Sequence, residues 1–183
     1  MFSYELDEHL RLEPPDLKFV EEVARVVQEN LAHLKPWMPW AVDDYGLEHA
    51  RQWIEGAEKA AREDGTFGSV IMFDGNIIGA LGIHRLDLQN KHTALGYWID
   101  HRYEGRGIVT RCTRVLIDYL FDKMELNRVQ INCNVENVRS RAIPERLGFT
   151  QEGILRQVEL LNDTFGDWAV YGILRSEWRA KRI

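Results

Sequence analysis

The stretch that decides the fold runs from Asp100 to Arg111, "DHRYEGRGIVTR". Gly105 and Gly107 stand one residue apart in it. An apolar, aromatic run precedes them (Ala94 to Ile99, "ALGYWI"), and a run with helical character follows from Ile108. Glycines permit backbone conformations and close approach that other residues resist. A helix that starts straight after them presents free N–H groups and a positive dipole end, so the three parts together can hold an anion such as a phosphate. A phosphate-binding P-loop needs a lysine and a Ser/Thr after its second glycine, and neither stands in place here. A dinucleotide fold needs a third glycine where Thr110 stands, and an acidic residue closing the next strand, which instead runs through Cys133 and Asn134. The plainest alternative, glycines that only turn the chain into a helix, stays open at this level.

Outward from this stretch the chain alternates helical and extended patterns. "PPDLKFVEEVARVVQENLAHL" predicts one helix with Asp16 as N-cap and with Phe19, Val20, Val23, Val26, Val27 and Leu31 near one face. The prolines of "KPWMPWA" break it, and "GLEHARQWIEGAEKAAREDG" predicts a second. "GSVIMFDGNIIGALGIHRL" reads as a hairpin turning at Asp74-Gly75-Asn76, and "HTALGYWID" as another strand. The helix after the glycines runs to about Asp122, "NRVQINCNV" is a strand, and a short helix ends near Leu147 with Gly148 as its C-cap. Two strands, near Thr150 to Glu159 and Trp168 to Leu174, close the series. With a strand at the start, this order is a mixed α/β fold around one sheet. Its hairpins are antiparallel, and the central helix joins one parallel pair. Pro144 sits awkwardly. A helix starting after Asn137 contains it, which frees the carbonyl of Ser140, so the helix either starts later or bends.

Composition narrows the function classes. The 183 residues suit one domain, 1–183, with no linker or repeat to divide it. The net charge of -6 argues against a nucleic-acid partner, which needs a basic face. Cys112 and Cys133 lie in apolar runs and read as buried free thiols of a reducing compartment; no His/Cys cluster suggests a metal. The amino terminus is too charged for a signal peptide and no run reaches membrane-span length, so a cytoplasmic protein with no membrane partner is expected.

"RYEGRGIVTR" resembles the R/Q-x-x-G-x-G/A pyrophosphate turn of the GNAT acetyltransferases, with Arg102, Gly105 and Gly107 in its fixed positions. The likeness continues through "GYWI" and "NVENVRSRAIPERLGF", in which Asn137, Ser140 and Leu147-Gly148-Phe149 follow in order. The late "DWAVYGILRSEW" is similar to the end of the subgroup that acetylates ribosomal-protein amino termini. The resemblance covers essentially the whole chain. It implies a single GNAT-like domain: a mixed, mostly antiparallel twisted sheet, flanked by helices, with a splayed central parallel pair. It implies acetyl-CoA as co-substrate, with no metal. The backbone of Gly105, Arg106, Gly107, Ile108 and Val109 would cradle the pyrophosphate, with Thr110 adding a hydroxyl. The pantetheine would lie between the splayed strands, near main-chain groups at Ile99 and the side chain of Asn137, whose alternative is a plain helix N-cap. Ser140 would relay a proton to the thiolate, as a serine does in that subgroup. Trp37 and Trp40 would wall the acceptor pocket.

Acetyl transfer needs a neutral amine, a polarised carbonyl and a proton for the departing sulfur. An α-amine titrates near 7.7–8.0 and a lysine near 10.4, so roughly a tenth of α-amine is neutral at pH 7 and the demand on a base is small. Glu159, by analogy with the subgroup, and His84, by its ordinary titration range, are the candidate bases. The expected activity is acetylation of a primary amine, preferably a protein amino terminus and ribosomal by resemblance. Acetylation of a small amine (polyamine, amino acid or antibiotic) and non-catalytic acyl-CoA binding are the alternatives. Exposed apolar edges, common in such folds, leave a homodimer open.

Overall fold

The computed structural model describes residues 2–180, so the outermost positions of the expected 1–183 domain lie outside the described residues. The chain forms β1 (Tyr4–Glu5), β2 (Leu10–Glu13), a short 3-10 turn (Leu17–Phe19), α1 (Val20–Glu29), α2 (Leu31–Leu34), α3 (Leu47–Glu63), β3 (Gly68–Phe73), β4 (Asn76–Asp87) and β5 (His92–Ile99). A second 3-10 turn (His101–Tyr103), α4 (Ile108–Asp122), β6 (Arg128–Asn134), α5 (Val138–Leu147), β7 (Thr150–Leu161), β8 (Thr164–Leu174) and α6 (Arg175–Ala180) follow. One eight-stranded sheet, in the order β1-β2-β3-β4-β5-β6-β8-β7, organises them. Every neighbouring pair is antiparallel except β5 and β6, which are parallel and joined through α4. This is the mixed sheet that the pattern predicts.

Alternation along the strands splits the core into two layers. Val70, Met72 and Ile77 face α1 and α3 and pack with Val23, Val27 and Ile54. Their neighbours Ile71 and Ile78 face the other way, with Leu116, Leu120 and Phe121 of α4, Leu147 of α5 and Trp178 of α6. The β3–β4 turn is the two residues Asp74 and Gly75, both at positive φ, and Asn76 already belongs to β4. Both cysteines are buried and free.

Three expectations need correction. The first helix is not continuous: Asp16 caps only the 3-10 turn, and the chain breaks between α1 and α2 at Asn30. Asn30 is 1% exposed, and its amide nitrogen donates to Val26 O at 2.8 Å. Its side-chain oxygen accepts the His101 N–H at 2.9 Å, which draws the backbone out of helix to meet a distant residue. The last hairpin is longer than its apolar pattern, because β8 begins at Thr164, after a turn at Asn162 and Asp163. Those two residues hold positive φ without a glycine, which asparagine and aspartate tolerate best. α6 is a further element that the pattern does not announce.

Pro144 lies inside α5, which nonetheless starts at Val138. The Ser140 carbonyl, left without its helical partner, accepts the Tyr97 hydroxyl at 3.0 Å. A side chain from β5 thus replaces the missing backbone donor.

Candidate active site

The parallel ladder starts at His92↔Arg128 and stops at Leu95↔Ile131. β5 continues to Ile99 and β6 to Asn134, so their C-terminal halves diverge. The gap opens into a cavity of about 820 Å³, within the size range of small-molecule sites. Gly96, Tyr97 and Trp98 line it from one strand, and Asn132, Cys133 and Asn134 from the other. Asn137 and Ser140 line it from the start of α5.

The glycine turn lies past the C-terminal end of β5, outside the cavity lining. Gly105 and Gly107 hold φ of 72° and 73°, and an added Cβ at either would meet nothing within 4 Å. Conformation, not crowding, demands glycine there. Gly107 is the N-cap of α4, and among the described residues no side chain caps that helix. The helical ladder begins with Arg111 N–H to Gly107 O at 3.0 Å. The amides of Ile108, Val109 and Thr110 therefore form an uncapped N-terminus that suits an anion. The Arg106 guanidinium lies over the Tyr103 ring, 5.0 Å from its centroid. The Thr110 hydroxyl accepts from Arg146 of α5 at 2.9 Å.

Arg102 is placed differently from its neighbours. Its Nε donates to both Asp100 carboxylate oxygens, at 3.1 and 2.9 Å, and its Nη2 to Glu29 at 2.8 Å. Asp100 is 1% exposed. Burial pushes its carboxyl up, but the bonds from the Arg102 side chain and backbone outweigh this and hold it below its ordinary value. Together with the His101–Asn30 bond, this pair fastens the turn to the end of α1.

At the start of α5, Asn137 is the N-cap: its Oδ1 accepts the Ser140 N–H at 3.0 Å. Ser140 Oγ lies 3.2 Å from Cys133 Sγ and 3.4 Å from Tyr97 Oη. Burial pushes the Cys133 thiol up, so it is neutral beside the serine. Burial likewise pushes the Tyr97 hydroxyl well up, so it keeps its proton.

The far part of the cavity is aromatic. Trp37 and Trp40 line it, with Tyr45, Trp53, Trp98 and Trp168. The Trp40 ring lies 5.9 Å from Trp98 and 6.0 Å from Tyr45, centroid to centroid. Glu159 is brought here by a bulge. The β7–β8 register shifts between Leu155 and Glu159, Gln157 takes a positive φ, and its N–H donates to the Asp167 carboxylate at 2.8 Å. The Glu159 carboxylate accepts from Trp168 Nε1 at 3.0 Å, which fixes its direction. His84 lines the same cavity, with Gly96 directly beneath its ring. Desolvation by the cavity walls, then the nearby Arg85 charge, push its imidazole below the ordinary value and favour the neutral form. Tyr97, Trp53, Trp98 and Trp168 stand out only in three dimensions, because nothing in their spacing separates them from core aromatics. Among the described residues no group of His, Cys, Asp and Glu could hold a metal, and no helix is long and apolar enough to cross a membrane.

Residues 9–150 match the acetyltransferase (GNAT) domain family. YdaF from Bacillus subtilis (strain 168), provisionally named a ribosomal N-acetyltransferase, is 33% identical over the full length of both chains. Two solved structures share the fold throughout. The microcin C7 self-immunity acetyltransferase MccE, in complex with acetyl-CoA and AMP, is 28% identical with a TM-score of 0.88, over 92% of this chain and 93% of its own. RimL, the ribosomal L7/L12 alpha-N-protein acetyltransferase, in complex with coenzyme A disulfide-linked to one of its cysteines, is 25% identical with a TM-score of 0.89, over 94% and 98%. The chain belongs to the GNAT acetyltransferase family.

Proposed function

We propose that this GNAT acetyltransferase moves the acetyl group of acetyl-CoA by direct attack onto a primary amine, and that its preferred acceptor is a protein amino terminus, a ribosomal protein's included. The observation that carries the proposal is the ladder that stops at Leu95↔Ile131 and opens into the aromatic cavity. A thioester arm laid in that gap brings its carbonyl between the free edge of β5 near Ile99 and the first turn of α5. The uncapped α4 terminus, from Gly105 through Val109 with the Thr110 hydroxyl, suits the pyrophosphate. Similar structures solved with acetyl-CoA or coenzyme A support that coenzyme as the co-substrate. Arg102 shapes the turn from beneath, since Asp100 and Glu29 occupy it.

In the reaction, the neutral amine nitrogen bonds to the thioester carbon, the C–S bond breaks, and the amine loses a proton. Main-chain N–H groups near Ile99 polarise the carbonyl. Asn137 retains its Nδ2 for the pantetheine, because only its Oδ1 is taken by the helix. Ser140 relays a proton to the leaving sulfur. Glu159, oriented by Trp168, accepts the amine proton directly or through water, and His84 is the alternative base. Trp37 and Trp40 form the acceptor wall.

The test is intact mass spectrometry of ribosomal proteins incubated with the enzyme and acetyl-CoA, run beside a panel of free amines. A mass gain of one acetyl group on a ribosomal protein supports the proposal. Turnover of free amines alone transfers the activity to a small-molecule acceptor.

A further inference from the structure

Ser140 is held by side chains at both of its backbone groups. Asn137 Oδ1 accepts its N–H at 3.0 Å, and the Tyr97 hydroxyl donates to its carbonyl at 3.0 Å. The second bond exists because Pro144, four residues on, has no N–H to give. Ser140 Oγ sits 3.4 Å from the same Tyr97 oxygen, so the two hydroxyls are consecutive in one chain of hydrogen bonds with the Cys133 thiol at 3.2 Å. Tyr97 stands on β5 just beyond the last rung of the parallel ladder, and Ser140 stands on the helix after β6. The contact therefore bridges the gap between the splayed strands, beside the path laid out for the thioester. A proline in a helix interior is normally disruptive. Here it exposes one carbonyl at the turn that carries the proposed proton relay, and a tyrosine from the opposite wall of the gap takes it.

We infer that Tyr97 is the positioning residue for Ser140: its hydroxyl fills the hydrogen-bond vacancy opened by Pro144 and fixes the first turn of α5, and with it the direction of Ser140 Oγ. This rests on the transfer mechanism proposed above, so the test reads both the contact and the chemistry. Tyr97→Phe removes one oxygen and keeps the ring. Pro144→Ala returns an N–H that can bond to the Ser140 carbonyl within the helix. The two are combined in a double-mutant cycle. Unfolding midpoints are measured without ligand. kcat and the acetyl-CoA KM are measured with the enzyme's best acceptor, starting from a short peptide with a free amino-terminal serine.

Tyr97→Phe in the natural background is expected to lower the midpoint by about 2–4 °C. It should lower kcat about tenfold, with the acetyl-CoA KM changed less than about twofold, because the serine is misdirected while the coenzyme contacts remain. In the Pro144→Ala background both losses should shrink by half or more. Full additivity in both readouts overturns the inference, as does an unchanged kcat for Tyr97→Phe while Ser140→Ala is impaired. Coupled midpoints beside a fully active Ser140→Ala would uphold the contact and contradict the transfer mechanism instead, so the two failures are distinguishable.

Discussion

At the turn that opens α4 the groups proposed to meet the coenzyme are backbone amides, and the side chains around them serve as anchors. Arg102 is fastened to Asp100 and Glu29, His101 to Asn30, and the glycines leave space above the helix end. In the cavity the arrangement is reversed. Its character comes from side chains of separate elements: Trp37 and Trp40 after α2, Trp53 on α3, Trp98 on β5, and Glu159 and Trp168 on the last hairpin. A site made of backbone on a pinned turn accepts one kind of ligand, an anionic group of fixed shape. A site made of side chains can be rebuilt one residue at a time. Under the proposed assignment this division lets the coenzyme end stay while the acceptor end changes, and similar structures carry the names of both a ribosomal-protein acetyltransferase and a microcin self-immunity acetyltransferase.

Substitutions at the two ends should therefore fail in different ways. The largest effect is expected in the cavity. Glu159→Gln should lower kcat about a hundredfold at neutral pH while leaving acetyl-CoA affinity intact. If Glu159→Gln keeps the natural pH–rate profile and His84→Ala loses its lower limb, the base is His84. At the turn, Arg102→Ala leaves the buried Asp100 carboxylate without its main partner and should lower the unfolding midpoint measured without ligand. A variant of undiminished stability that merely binds acetyl-CoA weakly would make Arg102 a phosphate ligand and blur the contrast. Gly107→Ala should cost roughly 1–2 kcal/mol, because its positive φ strains any L side chain, and should weaken acetyl-CoA binding with no change in acceptor preference. The smallest effect concerns His84. Its folded pKa lies below the unfolded value of about 6.5, so the unfolded chain takes up the proton first as pH falls. The folded state should lose stability as pH drops below about 6.5, and His84→Gln should flatten that part of the curve. An identical slope in the variant would place the titration elsewhere.

The same division decides what could be read from the sequence. The glycine turn, its helix, the C-cap at Gly148 and the hairpin turn at Asp74-Gly75, read one residue too long through Asn76, depend on neighbours within a few positions, so the order of types displays them. The parallel pair follows from the strand–helix–strand order. What escaped depends on distant partners. α1 breaks at Asn30 because His101 claims its side chain, and no local pattern records that. Pro144 signals a problem in the sequence, but its solution is the hydroxyl of Tyr97, on another strand. Glu159 reaches the cavity through a bulge centred on Gln157, not through regular alternation. Trp53, Trp98 and Trp168 look like ordinary core residues until the sheet brings them around one space.

The most direct measurement is thermal unfolding in parallel with acetyl-CoA, ATP, NADH and no ligand. At about 100 times its dissociation constant, acetyl-CoA should add roughly 2.7 kcal/mol. For a chain of this length that is a rise of about 5–10 °C in midpoint, and neither nucleotide should match it. No rise with acetyl-CoA, or a larger one with ATP or NADH, would contradict the assignment of the turn and the splayed gap to a coenzyme A thioester.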